Sequence, residues 1–562
     1  MSKIVDKANG DIRNIVRSAA AKAAADGKFA DVELPDFSVE VPADRSHGDY
    51  AVNAAMAWAR CLHDSPRKIA ETLGGYFDLT DTYIDRFEIA GPGFINFFLS
   101  DRYYSDILKD VEAQGENYGR SDYGKGKSVL VEFVSANPTG PMHIGNARGG
   151  ALGDCLSSVL DFAGFKVSRE FYINDAGNQI EKFKTSLEVR YQQLLGVDIE
   201  MPEDAYLGED ITTHARNFIA KYGDKYLNAD SEERRAALCD YALPLNIQKL
   251  HDDLAKYRIN YDCWFKESQL HNDGSVARII EKLKQSGHTY EQEGALWFRS
   301  TDFGEEKDRV LVRANGVPTY FVPDIAYHYN KLVERNFDIA VDILGADHHG
   351  YIPRMKGAMQ ALGVDPDRLD MVIMQMVRLV KDGETYKLSK RSGKAITLET
   401  LLDEVPIDAA RFIFNLREPN SHLEFDLDLA VEQSSSNPVY YVQYAHARIC
   451  SILKNLSAQG IEYKSLTAEQ LDCLNTAEER ELIRTLAAFE DEVVSAVKAY
   501  DPSRITRYVI ELATQLHKYY NSCRVNCGDD DLTHARLYLC VRVRQVIRNV
   551  LGMLKIDAPE VM

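Results

Sequence analysis

The sequence predicts a multidomain α/β protein: a central parallel, doubly wound sheet interrupted by a helical insertion, an α+β domain before it and an all-α helical bundle after it. Three observations carry this reading. The chain has 562 residues, more than a single core can serve. Buried-strand patterns alternate with helix patterns in two blocks separated by a long, charged, helix-rich stretch. From Asn437 onward nearly all apolar residues recur at helical spacing.

The first domain, 1–122, holds the helix patterns VDKANGDIRNIVRSAAAKAAA and DYAVNAAMAWARCLHDSPRKIAETLGGYF, then strand-like FEIAGPGFINFFLS, and closes at the polar linker SDYGKGKS. The second, 123–400, opens with the buried strand KSVLVEFVSANP, the helix GNARGGALGDCLSSVLDFAGF with its glycine stop, and the strand KVSREFYINDAG, a βαβ unit. Residues from about 185 to 300, with EKFKTSLEVRYQQLL and ALPLNIQKLHDDLAKYRI, read as the insertion. Alternation then resumes: TYFVPDIAYHYNKLVERNF as a helix, DIAVDILGAD as a strand, YIPRMKGAMQALG as a helix and DMVIMQMVRLV as the sheet's last apolar run. Two strand-helix halves in one parallel sheet make this domain Rossmann-like. A connecting segment, 401–436, leads to the bundle, 437–562, where Leu482, Leu486, Phe489, Val493 and Val497 form one stripe that a bundle core explains.

Composition narrows the function classes. A net charge of −20 argues against a general polyanion binder, yet from Asn437 on there are 15 basic and 16 acidic residues, so a local basic face remains available. Arg536, Arg544 and Arg548 fall on one side of a helix there, as a phosphate-binding face or as solvated surface. The nine cysteines are odd in number, dispersed and without C-x-x-C spacing, which fits reduced, mostly buried thiols. Cys523 and Cys527, with His534 downstream, make at most half a metal site, and no structural metal is predicted. The N-terminus lacks an apolar h-region and no run is long enough to span a bilayer; a cytoplasmic protein without a membrane partner is expected.

The chemistry is concentrated in SANPTGPMHIGNARGGALGD, residues 135–154. A strand running into a glycine-rich turn that opens a helix presents backbone N–H groups and a positive dipole end to phosphate. It is not a Walker A loop, because Asn146 and Ala147 stand where Lys and Ser/Thr are required, and no G-x-G-x-x-G is present. His143 occupies the loop instead, able to donate to a phosphoryl oxygen as charge develops, while Gly145, Gly149, Gly150 and Gly153 allow close approach. A second element, GETYKLSKRSGKAITLETLLDEV, places Lys387, Lys390, Arg391 and Lys394 among Ser389, Ser392 and Gly393, a cationic loop suited to a triphosphate.

These two elements resemble the HIGH and KMSKS signatures of class I aminoacyl-tRNA synthetases, as HIGN at 143–146 and KLSKR at 387–391. EFVSANPTGPMHIGNARGGALGD, REFYINDAGNQ, FVPDIAYHYNKL, LGADHHGYIPRMKGAMQALG and the terminal APEVM are similar to bacterial arginyl-tRNA synthetases over essentially the whole chain. The resemblance implies ATP-binding residues His143, Gly145, Asn146, Lys387, Ser389 and Lys390, with His143 and Lys390 catalytic, and arginine-binding residues Glu132, Ser135, Asn137, Tyr320, Asp324 and His348. Asn146 replaces the signature's second histidine, leaving a phosphate contact to an amide that can still donate. Lys390 is present and Gly140 stands where some relatives carry a compensating lysine, which makes Lys390 the main cation.

A guanidinium wants carboxylates in a fixed fork. Glu132, Ser135 and Asn137 lie where a strand ends, Tyr320 and Asp324 share a helix face, and a glutamate inside a buried apolar strand needs a cationic partner. Asp347, His348 and His349 lack a third ligand group nearby, so His348 reads as an amino-acid contact rather than a metal ligand. The resemblance implies ATP-dependent formation of arginyl-adenylate, with Mg²⁺ accompanying the nucleotide, and transfer to the 3′ end of tRNA(Arg) by a monomer, tRNA being needed for activation. Two rivals are a nucleotidylyltransferase, which needs no C-terminal bundle, and a non-catalytic tRNA-binding relative, which would have lost His143 or Lys390.

Overall fold

The computed structural model describes residues 3–386 and 396–562. Its central sheet has five parallel strands in the spatial order Leu369–Met374, Ile339–Gly345, Ser128–Glu132, Lys166–Ile173 and Cys263–Lys266. The middle strand comes first in sequence. From it the chain winds outward on one side through the helix Ile144–Phe162, then returns on the other side at Ile339–Gly345. Between those two neighbours the winding direction reverses, which leaves a crevice at their C-terminal ends. The middle strand, SVLVE, is covered on both faces, with Val129, Leu130 and Val131 all buried, as a parallel strand demands.

Register places acids at the same level of three adjacent strands: Asp342 lies opposite Glu132, and Glu132 opposite Glu170. All three are buried. Such a rung survives only with cations above it.

The helix Ile144–Phe162 carries glycines that each cost about 1 kcal/mol relative to alanine in a helix interior. Close packing offsets the cost. A Cβ on Gly153 would stand 2.1 Å from the Phe133 ring and one on Gly150 2.7 Å from Ile259, so the helix presses on its neighbours only because those side chains are missing.

The sequence-based reading differs from the structure in three places. The run DMVIMQMVRLV is split: Leu369–Met374 completes the parallel sheet, whereas Val377–Lys381 joins a separate sheet with Glu384–Thr385 and Leu423–Asp426. The cause is local, since the Gln375 N–H donates to the Pro419 carbonyl (2.9 Å) and Leu423–Asp426 offers a parallel edge to Val377–Lys381. The inserted stretch contains the helices Gly177–Leu194, Glu209–Tyr222 and Ser231–Lys256 with a small core of their own, but also the edge strand Cys263–Lys266 and most of an antiparallel sheet, Thr289–Gln292, Ala295–Phe298 and Arg309–Val312. ERELIRTLAAFEDEVVSAVKAY forms two helices, Ala477–Ala487 and Phe489–Ala499, although all five stripe residues are buried as expected.

The N-terminal domain pairs Val39–Glu40, Tyr50–Val52, Phe94–Leu99 and Ile84–Ala90 in one antiparallel sheet. It leans on the C-terminal bundle through Arg484 and Asp49, 2.6 Å apart. The bundle in turn meets the central domain at Arg411, fully buried, which donates to Asp154 of the glycine-rich helix and to the carbonyls of Tyr257 and Leu554.

Candidate active site

A cavity of about 520 Å³ opens at the crevice, lined by Val134 and the turn His143–Asn146, by Gly149, by Gly345–His348 and by Met374–Val377. His143 is the N-cap of the helix Ile144–Phe162: its Nδ1 accepts the Gly145 N–H at 3.1 Å, and its own N–H donates to Asn146 Oδ1 at 3.0 Å, a reciprocal capping box. Because Nδ1 is an acceptor, the ring proton sits on Nε2. Burial lowers the His143 pKa below its ordinary value, so the ring is a neutral donor at pH 7. Asn146 therefore spends its carbonyl oxygen on the cap and keeps an N–H₂ group to donate.

The loop holding Lys387, Ser389 and Lys390 lies outside the described residues. Its flanks are described. The Tyr386 N–H donates to the Leu379 carbonyl at 2.9 Å; on the far side Thr397 forms a backbone bridge with His143, and the Leu398 N–H donates to the Met142 carbonyl at 2.9 Å.

Behind the turn lies the acidic rung. Lys331, fully buried, donates to Glu132 (2.5 Å) and Asp342 (2.7 Å); Ser135 Oγ donates to the other Glu132 oxygen at 2.8 Å. Burial alone would lower Lys331, but Asp342 and Glu132 override it and hold the ammonium above its ordinary value; burial likewise would raise Asp342, and Lys331 and His328 hold it well below the usual carboxylate range. Glu170 is met by Arg335 (2.6 Å) and by the Tyr327 hydroxyl (2.7 Å). Lys331 belongs to a π-helical turn, Asn330–Glu334, that follows the helix Phe321–Tyr329. That single segment thus brings Tyr327, His328, Lys331 and Arg335 onto three strands.

The same helix presents Asp324 at its first turn. Burial pushes the Asp324 carboxyl up to about 6; the His328 charge and a Tyr351 hydrogen bond pull against this, while Glu267 and Glu132 add to it. Glu267 is itself buried at the end of the edge strand Cys263–Lys266. Asp324 therefore lies close to two further carboxylates, Glu267 and the Lys331-paired Glu132, and this group of three favours a cation. The backbone is strained here: Val134 and Ser135 both take positive φ, +69° and +41°, and the turn is anchored by the Tyr172 N–H, which donates to Ser135 Oγ at 3.1 Å.

The structure brings His143, Gly145, Asn146 and His348 together around the cavity, and Glu132, Ser135 and Asp324 into the acidic group. His348 joins the two, since its ring lies 6.2 Å from Tyr351, the residue bonded to Asp324. Tyr320 is half-exposed, its hydroxyl accepting the Asn178 N–H at 2.9 Å, and Asn137 is exposed. The cation that buried Glu132 requires is Lys331 of the chain itself.

Sequence reasoning missed Lys331 and Glu267. Lys331, seven residues after Asp324 on the helical face that carries Tyr327 and His328, is signalled by that spacing; Glu267 is hidden because it opens a short helix, Glu267–Asn272, inside the stretch whose pattern reads as helical insertion. Of the three bundle arginines, Arg536 is buried against Glu479 at 2.7 Å, while Arg544 and Arg548 line a polar cleft of about 830 Å³ remote from the crevice. Among the described residues no cluster of three or more His, Cys, Asp or Glu is arranged to hold a metal ion, and no helix is long and apolar enough to cross a membrane.

Three family models match in succession: arginyl tRNA synthetase N terminal domain over 10–99, tRNA synthetases class I (R) catalytic domain over 108–451, and DALR anticodon binding domain over 442–562. The chain is 53% identical to the arginine–tRNA ligase of Caldanaerobacter subterraneus subsp. tengcongensis, with 100% of each chain covered. It is 51% identical to that of Ruminiclostridium cellulolyticum, again over 100% of both. The solved arginyl-tRNA synthetase of Thermus thermophilus superposes with a TM-score of 0.72 at 22% identity, covering 97% of this chain and 99% of that one, a likeness of fold. With a reciprocally capped histidine at the switch point of its sheet and a relative of this identity along its full length, the chain belongs to the class I arginyl-tRNA synthetases.

Proposed function

We propose that the protein activates L-arginine with ATP and transfers the arginyl group to the 3′ end of tRNA(Arg). The observation that carries this is the buried carboxyl of Asp324, with Glu267 and the Lys331-paired Glu132 close by, adjoining the cavity that His143 caps: a cation site beside a phosphate site. The arginine carboxylate attacks the α-phosphorus in line, pyrophosphate leaves, and the 3′-terminal hydroxyl of the tRNA then takes the arginyl group. No protein nucleophile is needed; positioning and charge neutralisation do the chemistry.

His143 donates Nε2–H to a phosphate oxygen while its Nδ1 stays locked in the helix cap. The bridge from Thr397 to His143 supports Lys387, Ser389 and Lys390 acting on the same triphosphate, Lys390 as the main cation. Asp347, whose carboxylate is in the cavity lining, would hold a nucleotide-borne Mg²⁺. Lysine or citrulline would leave buried carboxylates unpaired, which is discrimination enough without editing. On the C-terminal bundle, partly exposed Tyr444 and Tyr520 flank Arg448, whose guanidinium lies 3.8 Å above the Tyr520 ring, a surface suited to stacking tRNA bases.

ATP–pyrophosphate exchange, run with and without tRNA and with arginine or other amino acids, tests the reading. Arginine-specific exchange that depends on tRNA is expected. Exchange with another substrate and no tRNA would favour a nucleotidylyltransferase, and no exchange at all a non-catalytic relative.

A further inference from the structure

Arg148 is the second residue after the HIGN turn and is completely buried, yet among the described residues it has no carboxylate partner. Its Nη1 donates to the Gln375 carbonyl at 2.7 Å and its Nη2 to the Glu418 carbonyl at 3.0 Å; Nε has no partner among the described residues. A buried guanidinium without a counter-charge is costly, and burial lowers its pKa to about 10. Packing alone would be served better by methionine or leucine, so the retained charge points to what the two carbonyls do.

Gln375 sits where the chain leaves the parallel sheet after Met374 and enters the small sheet at Val377. Met374, Gln375, Met376 and Val377 line the cavity together with His143, Gly145 and Asn146. This stretch of the wall is thin. Met376 is 74% exposed, and the crossover is held by the Gln375 N–H on the Pro419 carbonyl (2.9 Å), the Leu423 N–H on the Met376 carbonyl (3.4 Å) and Arg148. Of these ties only Arg148 reaches back to the helix that His143 caps.

We propose that Arg148 is a positioning residue that sets the width of the nucleotide cavity by clamping the crossover Met374–Val377 to the His143 helix. The inference rests on the proposed reading that this cavity takes ATP. Among the described residues the hydrogen bonds of Arg148 go to the Gln375 and Glu418 carbonyls and to none of Glu132, Ser135, Asp324 or His348, so its effect is expected on the nucleotide and not on the amino acid.

The test is steady-state pyrophosphate exchange with Arg148→Lys and Arg148→Met, alongside amide hydrogen exchange. Lysine keeps the charge but cannot span both carbonyls, so R148K should raise the ATP KM about tenfold, the equivalent of one charge-assisted hydrogen bond, with the arginine KM within about twofold of wild type. R148M should go further, and amides of 375–381 should exchange faster in both. An unchanged ATP KM, or ATP and arginine KM rising together, would overturn the inference. Wild-type protein gives an independent reading should both variants misfold: the Gln375 amide should be slow to exchange in the free enzyme and indifferent to a non-hydrolysable ATP analogue, whereas fast exchange that the analogue slows would show a wall organised by nucleotide and not by Arg148. Wild type inactive with arginine under every tRNA condition counts against the function; wild type active and R148K unaltered counts against Arg148 alone.

Discussion

On the proposed function His143 does two jobs with two nitrogens, and they separate by measurement. Replacing it with alanine should cut kcat for pyrophosphate exchange by about 10²–10³-fold, the loss typical of one preorganised donor, and cost about 1 kcal/mol of stability through the lost cap. The arginine KM should stay put. Asp324 gives the complementary handle. Its carboxyl titrates near 6 in the free protein, and only the ionised form holds a guanidinium, so the arginine KM should rise as pH falls below about 6, up to tenfold per unit, while the ATP KM does not. Asp324→Asn should abolish that pH dependence and raise the arginine KM at every pH. An arginine KM flat from pH 5 to 8 in wild type would place the essential carboxylate elsewhere. His143, Asp324 and Glu132 were readable from residue type and position, because an imidazole in a glycine turn and an acid in an apolar strand are both anomalies. Their partners were not, since nothing in the string 128–132 says which distant lysine neutralises Glu132.

The helix and π-turn from Phe321 to Glu334 is the element on which the site depends most. It supplies Asp324 from its first turn and Lys331, over Asp342 and Glu132, from its last, and Arg335 immediately after it meets Glu170. His328 faces the Asp324 carbonyl with Nδ1 (2.7 Å) and Asp342 with Nε2 (2.7 Å), so the segment also braces itself. Lys331→Met should strand two buried carboxylates and destabilise by about 3–5 kcal/mol in chemical denaturation, and adding Glu132→Gln and Asp342→Asn should recover part of it. A loss under about 1 kcal/mol would show that the rung is solvated. Periodicity located this helix, its strand partners and the bundle stripe, because burial writes itself into spacing. It failed for the π-turn, for the split of DMVIMQMVRLV and for the edge strand Cys263–Lys266, where pairing with residues far along the chain decides the outcome.

Across the whole molecule the order of parts followed from the sequence, but the joints between them did not. Arg411 is the clearest joint: it ties the end of the last bundle helix, through Leu554, to Asp154 of the His143 helix. Wild type should unfold calorimetrically in one transition, and Arg411→Met should lower the midpoint and resolve the bundle as a second peak; a single peak at the wild-type midpoint would show the contact to be dispensable. The bridge between Thr397 and His143 has a different outcome. Since Tyr386 and Leu398 are fastened by separate hydrogen bonds to separate strips of backbone, a backbone cut anywhere from 387 to 395 leaves Tyr386 and Leu398 each still held. Two polypeptides divided at that point, made separately, should find each other and reconstitute as a complementing pair.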